Sequence, residues 1–138
     1  MANKKARLLY ALPLAAVALV LGVSQSSGGS SVVTASIQKN SDSCGELTGH
    51  KSIGKVTFSM VKGTVYATIE LRGATPNTNY YAYLYYNPPC TYNTYTKIAT
   101  DSSGQARKTI SSPSFGYHDW FVDIYDTTDN ETPEVHLP

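Results

Sequence analysis

The chain has 138 residues, of which 41% are hydrophobic and 15% charged, and its formal net charge is +1. This length is typical of one domain, and the small net charge argues against nucleic acid as a partner, because phosphate binding needs clustered Lys and Arg. Lys and Glu are scarce, and long helical patterns are missing.

The amino-terminal segment has the three parts of an export signal. Lys4, Lys5 and Arg7 precede an apolar run at Leu8–Val23, and a Ser/Gly tract follows at 24–31. A charged start, an apolar middle and a tail of small residues predict a signal peptide. Everything beyond it is therefore expected outside the cytoplasm.

A retained membrane anchor is the alternative for the same segment. As a helix the apolar run would reach about 24 Å, against about 30 Å of hydrocarbon, and Pro13 weakens such a helix. Small residues at cleavage offsets occur at Val33–Ala35 and at Ser24–Ser26. Under both interpretations the positive-inside rule places the remainder outside. We predict a secreted or cell-surface protein that contacts a membrane only through an uncleaved amino-terminal segment.

The chain thus divides into a signal peptide or anchor at 1–23, a linker at 24–31 and one domain at 32–138. Three of the 11 Lys and Arg precede Leu8, so eight remain in the exported part against all ten Asp and Glu. That part is slightly acidic, which again disfavours nucleic acid.

Beyond the linker, apolar and polar residues alternate and turn residues recur about every ten positions. The expected strands are Val32–Gln38, Lys55–Met60, Thr64–Arg72, Tyr80–Tyr86, Tyr95–Thr100, Ala106–Ile110 and Asp119–Tyr125. Seven short antiparallel strands around one apolar layer predict an all-β antiparallel β-sandwich.

Cys44 and Cys90 are the two cysteines of the chain. An oxidising compartment favours a disulfide between them, and closing this loop would stabilise the domain by about 4 kcal/mol in the chain-entropy model. Two free buried thiols are the alternative. Zinc or thioredoxin-like sites need closely spaced pairs, which this sequence lacks.

The segment Ala74–Tyr80 carries a family resemblance. Its Pro-x-Thr-x-Tyr pattern leads into a tyrosine-rich strand and resembles the E–F corner of fibronectin type III-like and immunoglobulin-like sandwiches. The resemblance covers about 25 residues and implies that Tyr80 is the corner tyrosine, whose hydroxyl bonds back to the backbone of the corner.

The predicted strand Tyr80–Tyr86 has tyrosines on both faces. Ala82 and Leu84 assign one face to the core, which leaves an exposed row of Tyr81, Tyr83 and Tyr85, with Tyr92 and Tyr95 nearby. Such a row could form a protein interface or stack on sugar rings. Alternatively, the tyrosines only satisfy β-propensity and cross-strand pairing.

Catalytic motifs are missing from the sequence. No Gly-x-Ser-x-Gly elbow is present. Asp119 and Asp123 would lie roughly 13 Å apart on one strand face, too far for a pair of glycosidase carboxylates. We therefore expect no enzymatic activity and no cofactor.

Metal ligands and modification sites are weakly indicated. His50, His118 and His136 are far apart and match no ligand motif, so we expect surface or strand-end histidines and no metal; a metal site at His118 and His136 is the alternative. Four acidic or amide residues could supply calcium ligands, although a solvated acidic loop is the simpler interpretation: Asp126, Asp129, Asn130 and Glu131. Asn130 also begins an N-glycosylation acceptor triplet.

The first predicted strand lies behind a flexible tether and can complete its own sheet or add to that of a neighbour. Exchange between subunits would build a filament or surface lattice. We predict an exported, non-enzymatic structural or interaction module, which could be a subunit of an extracellular assembly. The alternative is a small glycan-binding domain that uses Tyr81, Tyr83 and Tyr85.

Overall fold

A computed structural model describes residues 31–40, 44 and 47–138; the expected signal or anchor at 1–23 and the linker before Ser31 lie outside these residues. The described part contains nine strands: β1 Val32–Asn40, β2 Leu47–Val61, β3 Thr64–Arg72, β4 Asn79–Asn87, β5 Thr91–Ala99, β6 Gln105–Pro113, β7 Asp119–Tyr125, β8 Asp129–Glu131 and β9 Val135–His136. Within it, no helix is long and apolar enough to cross a membrane.

The strands form one antiparallel sheet with the order β5-β4-β7-β8-β1-β2-β3-β6, and β9 also pairs with β7. The sheet is continuous because the short strand β8 pairs with both β7 and β1. Its two edge strands, β5 and β6, approach each other, so the sheet is nearly closed like a barrel. The predicted all-β antiparallel architecture is confirmed, whereas two separate facing sheets are not observed.

Side chains bridge the seam between the two edge strands. The Lys108 ammonium donates to the Lys97 carbonyl over 3.0 Å. The Asn93 amide donates to the Ser112 hydroxyl over 2.5 Å. These contacts hold β5 beside β6, although the two strands are not paired in the ladder of the sheet.

Two predicted strands, Thr64–Arg72 and Asp119–Tyr125, have the observed bounds of β3 and β7. The other five are longer than predicted or begin earlier, most clearly β2, which begins at Leu47. The prediction missed β8 and β9, which are short and consist mainly of polar residues.

The core lies on the inner side of the rolled sheet. Alternate residues of β3, β4 and β7 point into it, and the largest fully buried side chains include Trp120, Phe58, Ile37, Ile69, Leu71 and Leu84. The buried Trp120 indole donates to the Tyr117 carbonyl over 3.0 Å, which satisfies its one polar group. Burial of these alternate apolar residues therefore stabilises the rolled sheet.

The corner between β3 and β4 is held by a small hydrogen-bond network. The Tyr80 hydroxyl accepts from the Thr75 N–H over 2.9 Å, the contact that the family resemblance implies. The Thr100 hydroxyl donates to the Thr75 carbonyl over 2.6 Å and joins the next turn to the corner. Gly104 has φ +72°, and a Cβ there would lie 2.1 Å from the Ala74 carbonyl oxygen, so only glycine fits.

A disulfide joins Cys44 and Cys90, as predicted, with a Cα separation of 6.2 Å. It links the connection between β1 and β2 to the connection between β4 and β5. The Cys44 N–H also donates to the Glu131 carboxylate over 2.9 Å. The bridge therefore fixes one end of the barrel at β8.

Candidate interaction surface

The outer side of β4, β5 and β7 carries an aromatic surface, which we call the tyrosine face. It contains the three tyrosines of the predicted row on β4 and four further aromatic residues on the neighbouring strands. Its members are Tyr81, Tyr83, Tyr85, Tyr92, Tyr95, Phe121 and Tyr125.

The ladder register arranges these rings in rows across the sheet. Tyr83 lies directly opposite Tyr95 on one side, and Tyr85 lies between Tyr92 and Phe121. Side chains that are directly opposite in an antiparallel pair share a face and lie close enough to interact. The rows therefore place aromatic rings side by side over three strands.

A β-bulge in β5 is what allows both of its tyrosines to join this surface. Tyr92 and Tyr95 are three positions apart, so a regular strand would point them to opposite faces. The register shifts between Leu84 and Tyr85, and Asn93 is the additional residue. The bulge turns Tyr92 to the outer side, and the Asn93 side chain reaches across the seam instead.

The rings pack against one another. Tyr83 stacks on Tyr95 with ring centroids 5.6 Å apart and meets Tyr92 edge-on at 5.2 Å. Tyr85 stacks on Phe121 at 4.9 Å with an interplanar angle of 10°. These separations are typical of favourable aromatic pairs, worth about 0.5–1.5 kcal/mol each beyond their buried area.

The two most exposed rings of the tyrosine face lie on the edge strand β5. Phe121 on β7 is 3% exposed, whereas Tyr92 and Tyr95 on β5 are 48% and 61% exposed. Tyr83 and Tyr85 lie between them and are half-buried. The predicted core face is confirmed, since Tyr80, Ala82 and Leu84 are buried, and Tyr81 is exposed as expected.

The Tyr83 phenol sits at the centre of this cluster. Burial raises its pKa above the ordinary value, and the shift is increased by its neighbours Tyr92, Tyr85, Tyr95 and Asp123. The phenol therefore remains protonated at physiological pH and keeps a hydrogen-bond donor at the surface.

On the side formed by β7, the tyrosine face is bordered by two carboxylates and by the disulfide. Asp123 and Glu131 lie directly opposite each other in the β7–β8 ladder and are 2% and 5% exposed. A pocket of about 200 Å³ opens nearby, lined by Cys44, Leu47, Asn87, Phe121, Glu131, Pro133 and Glu134. The tyrosine face is thus covered around Phe121, whereas Tyr125 on the same strand remains 42% exposed.

The acidic residues proposed as calcium ligands do not converge. Asn130 lies opposite Ile124 and faces inward, whereas Glu131 lies opposite Asp123 on the outer side. Burial alone would raise the pKa of Asp126, but it is lowered because Thr128 and Thr127 donate hydrogen bonds to the carboxylate. Within the described residues, no group of three or more His, Cys, Asp or Glu side chains could hold a metal ion.

The acceptor asparagine of the glycosylation triplet is buried. The Asn130 amide donates to the Thr128 carbonyl over 3.2 Å and approaches the Ile124 carbonyl at 3.5 Å. A glycan could join this amide in the folded chain only if these contacts broke. The triplet therefore remains a match of sequence alone.

Two histidines that are 18 positions apart in the sequence, His118 and His136, are brought together at the beginning of β7. The rings of His118 and His136 lie 5.7 Å apart. The sequence analysis preferred surface histidines to a shared site, because nothing in the sequence indicated that β9 returns along β7. The side chain of His50 lies outside the described part of the structure.

Comparisons with known protein families, curated proteins and solved structures find no match to this chain. The tyrosine face has to be interpreted from its own chemistry.

Proposed function

We propose that the protein is an exported, non-enzymatic interaction module and that the tyrosine face is its contact surface. The observation that carries this proposal is the cluster of packed rings whose most exposed members, Tyr92 and Tyr95, lie on an edge strand. Tyrosine is enriched at protein interfaces because its rigid ring provides apolar area and its hydroxyl provides a hydrogen bond.

The packing of the rings favours binding over mere strand formation. The two most exposed rings, Tyr92 and Tyr95, each pack against Tyr83, so their rotamers are restricted before a partner arrives. Binding then costs less side-chain entropy, which is typically about 0.5–1.5 kcal/mol for each mobile side chain that becomes fixed. A surface fixed in advance is the arrangement expected of a recognition site.

Export is supported by the amino-terminal segment and by the disulfide, which persists in oxidising compartments. The structure bears on the two cleavage positions considered for the signal. Cleavage after Ser26 would leave β1 whole, whereas cleavage after Ala35 would remove the residues that pair with Ser59, Phe58, Thr57 and Val56. We therefore propose processing at the earlier position, or retention as an anchor.

A relationship to immunoglobulin-like or fibronectin type III-like sandwiches is part of the proposal. The Tyr80 hydroxyl bond to Thr75 and the position of the corner between β3 and β4 support it. Such folds carry many functions, so the relationship adds nothing about the partner.

The partner that we propose is a second copy of the chain or another surface protein. Self-association of the full chain is the first experiment, measured by sedimentation over a range of concentrations. The double variant Tyr92→Ala/Tyr95→Ala should weaken association at least tenfold, because exposed interface tyrosines commonly contribute more than about 1 kcal/mol each.

The matched control is Tyr66→Ala, since Tyr66 is exposed to a similar degree on β3, away from the tyrosine face. This variant should associate like the native chain. A native chain that stays monomeric at every concentration and captures no surface protein, or equal losses in both variants, would refute the role of the tyrosine face.

Assembly by exchange of the first strand remains a second route to the same function. In the structure β1 pairs with β2 of its own chain from Val32 to Asn40 and with β8 at two positions. A β1 strand from a neighbour could form the same ladder. Exchange predicts multimers that resist heat and disappear when the segment before Lys39 is deleted.

Glycan binding is the candidate function of a different class. The exposed rings of Tyr92 and Tyr95 favour it, since sugar rings can stack on aromatic faces. Retention of the full chain on a polysaccharide column should then be lost in Tyr95→Ala and kept in Tyr66→Ala. Retention that is unaffected by Tyr95→Ala would exclude this surface as a sugar site.

A further inference from the structure

The beginning of β7 and the strand β9 form a histidine pair that is separate from the tyrosine face. His118 directly precedes β7, and His136 lies opposite Asp119 in the β7–β9 ladder. Their rings are 5.7 Å apart and nearly parallel, with an interplanar angle of 28°. Both side chains are exposed to solvent.

The hydrogen bonds of this pair determine where each imidazole carries its proton. His118 Nδ1 lies 2.9 Å from the Leu137 carbonyl oxygen, which can only accept, so this nitrogen must be the donor. His136 Nδ1 lies 2.7 Å from the Asp119 carboxylate, and it donates for the same reason. In the neutral rings, both Nε2 atoms therefore carry a lone pair.

This is the arrangement of outer hydrogen bonds that metal-binding histidines use. A ligating imidazole almost always donates its second N–H to a carboxylate or a backbone carbonyl, which fixes the tautomer and makes the ligating nitrogen more basic. Here the His118 ring donates to a backbone carbonyl, and the His136 ring donates to a carboxylate. A single ion bound by two imidazoles at about 2.0–2.1 Å needs their nitrogens within about 4 Å, so the rings, whose centroids lie 5.7 Å apart, would turn toward each other on binding.

We propose that His118 and His136 bind one divalent first-row transition ion, Cu²⁺ or Zn²⁺, through their Nε2 atoms, with water at the remaining positions. Imidazole suits both ions, and Cu²⁺ binds more tightly in the Irving–Williams order. The local charge also favours a cation, because the sequence has no Lys or Arg after Lys108 and Asp119 is adjacent. The ion would fasten β9 to the start of β7.

Calorimetric titration of the full chain with Cu²⁺ and with Zn²⁺ tests this site. We expect one ion per chain, tighter binding of Cu²⁺, and loss of the binding in His118→Ala and in His136→Ala. His50→Ala is the control and should bind like the native chain. Absence of binding for both ions, or binding that persists in the His118→Ala/His136→Ala double variant, would overturn the proposal.

Asp119→Ala distinguishes a tuned site from two exposed histidines that chelate by chance. Loss of a carboxylate that holds a ligand typically lowers metal affinity 10- to 100-fold, and we expect a loss in that range. The NMR signals of the two imidazoles in the native chain, which need no substitution, should shift together when metal is added. An unchanged affinity in Asp119→Ala, or a shift of only one imidazole, would contradict the two-histidine site.

Discussion

Replacing Cys44 and Cys90 together with Ser is expected to lower the free energy of unfolding by about 4 kcal/mol. The bridge closes a loop with a sequence separation of 46 residues, so its removal frees many conformations of the unfolded chain. A domain of this size is typically stable by about 5–15 kcal/mol, and the loss is therefore a large fraction of the total. Urea unfolding monitored by circular dichroism measures it.

Reduction of the native chain is the matched comparison. The reduced chain and the double Ser variant should unfold at the same urea concentration, and a reductant should not affect the variant. A change of less than about 1 kcal/mol in the variant would contradict this account and would mean that the unfolded chain keeps the loop compact without the bridge.

The sequence predicts well the parts of this fold that depend on local alternation. In β3, Val65, Ala67 and Ile69 are buried between more exposed neighbours, so the pattern and the burial coincide and the bounds are correct. The Tyr80 contact was also foreseeable, because it lies five residues from its partner Thr75. Strand bounds and contacts between residues close in sequence can therefore be predicted from the local pattern of residues.

The continuity of the sheet could not be predicted in this way. It depends on β8, a strand of three polar residues that is recognisable only from its partners β1 and β7. Asn130 and Glu131 are buried because the strands on each side cover them, and their side chains alone would predict exposure. The location of such strands is determined by their neighbours in the sheet.

The tyrosine face was predicted only in part for the same reason. Alternation identified Tyr81, Tyr83 and Tyr85, but Phe121 joins them through the register of β7 against β4, which no sequence pattern reports. Tyr92 joins through a bulge at Asn93, and bulges have little sequence signal. His118 and His136 likewise meet through the return of β9.

The second large effect is expected at Trp120, the single tryptophan of the chain. Trp120→Ala should lower the free energy of unfolding by about 3–5 kcal/mol, because it opens a cavity in the closed interior. Trp120 is fully buried, packs against Tyr86 with ring centroids 5.6 Å apart, and donates to the Tyr117 carbonyl. Trp120→Phe keeps most of the ring volume and should cost less.

Tyr125→Ala is the control in the same strand, since Tyr125 is exposed on the outer side. Its effect should remain within about 0.5 kcal/mol, as for most surface substitutions. Far-ultraviolet circular dichroism is the suitable probe, because the Trp120 variants have lost the fluorescent indole. Equal losses for Trp120→Ala and Tyr125→Ala would contradict an interior closed around β7.

The same series separates folding from recognition. Trp120 faces inward and Phe121, its neighbour, faces outward, so β7 supports the core and the tyrosine face at once. Trp120→Phe should therefore retain the self-association that Tyr92→Ala/Tyr95→Ala loses. The surface variant loses the ring contacts of Tyr92 and Tyr95, but it should remain folded, because the core side of the sheet is unchanged. If instead the surface variant is unfolded, the tyrosines would serve the sheet rather than a partner.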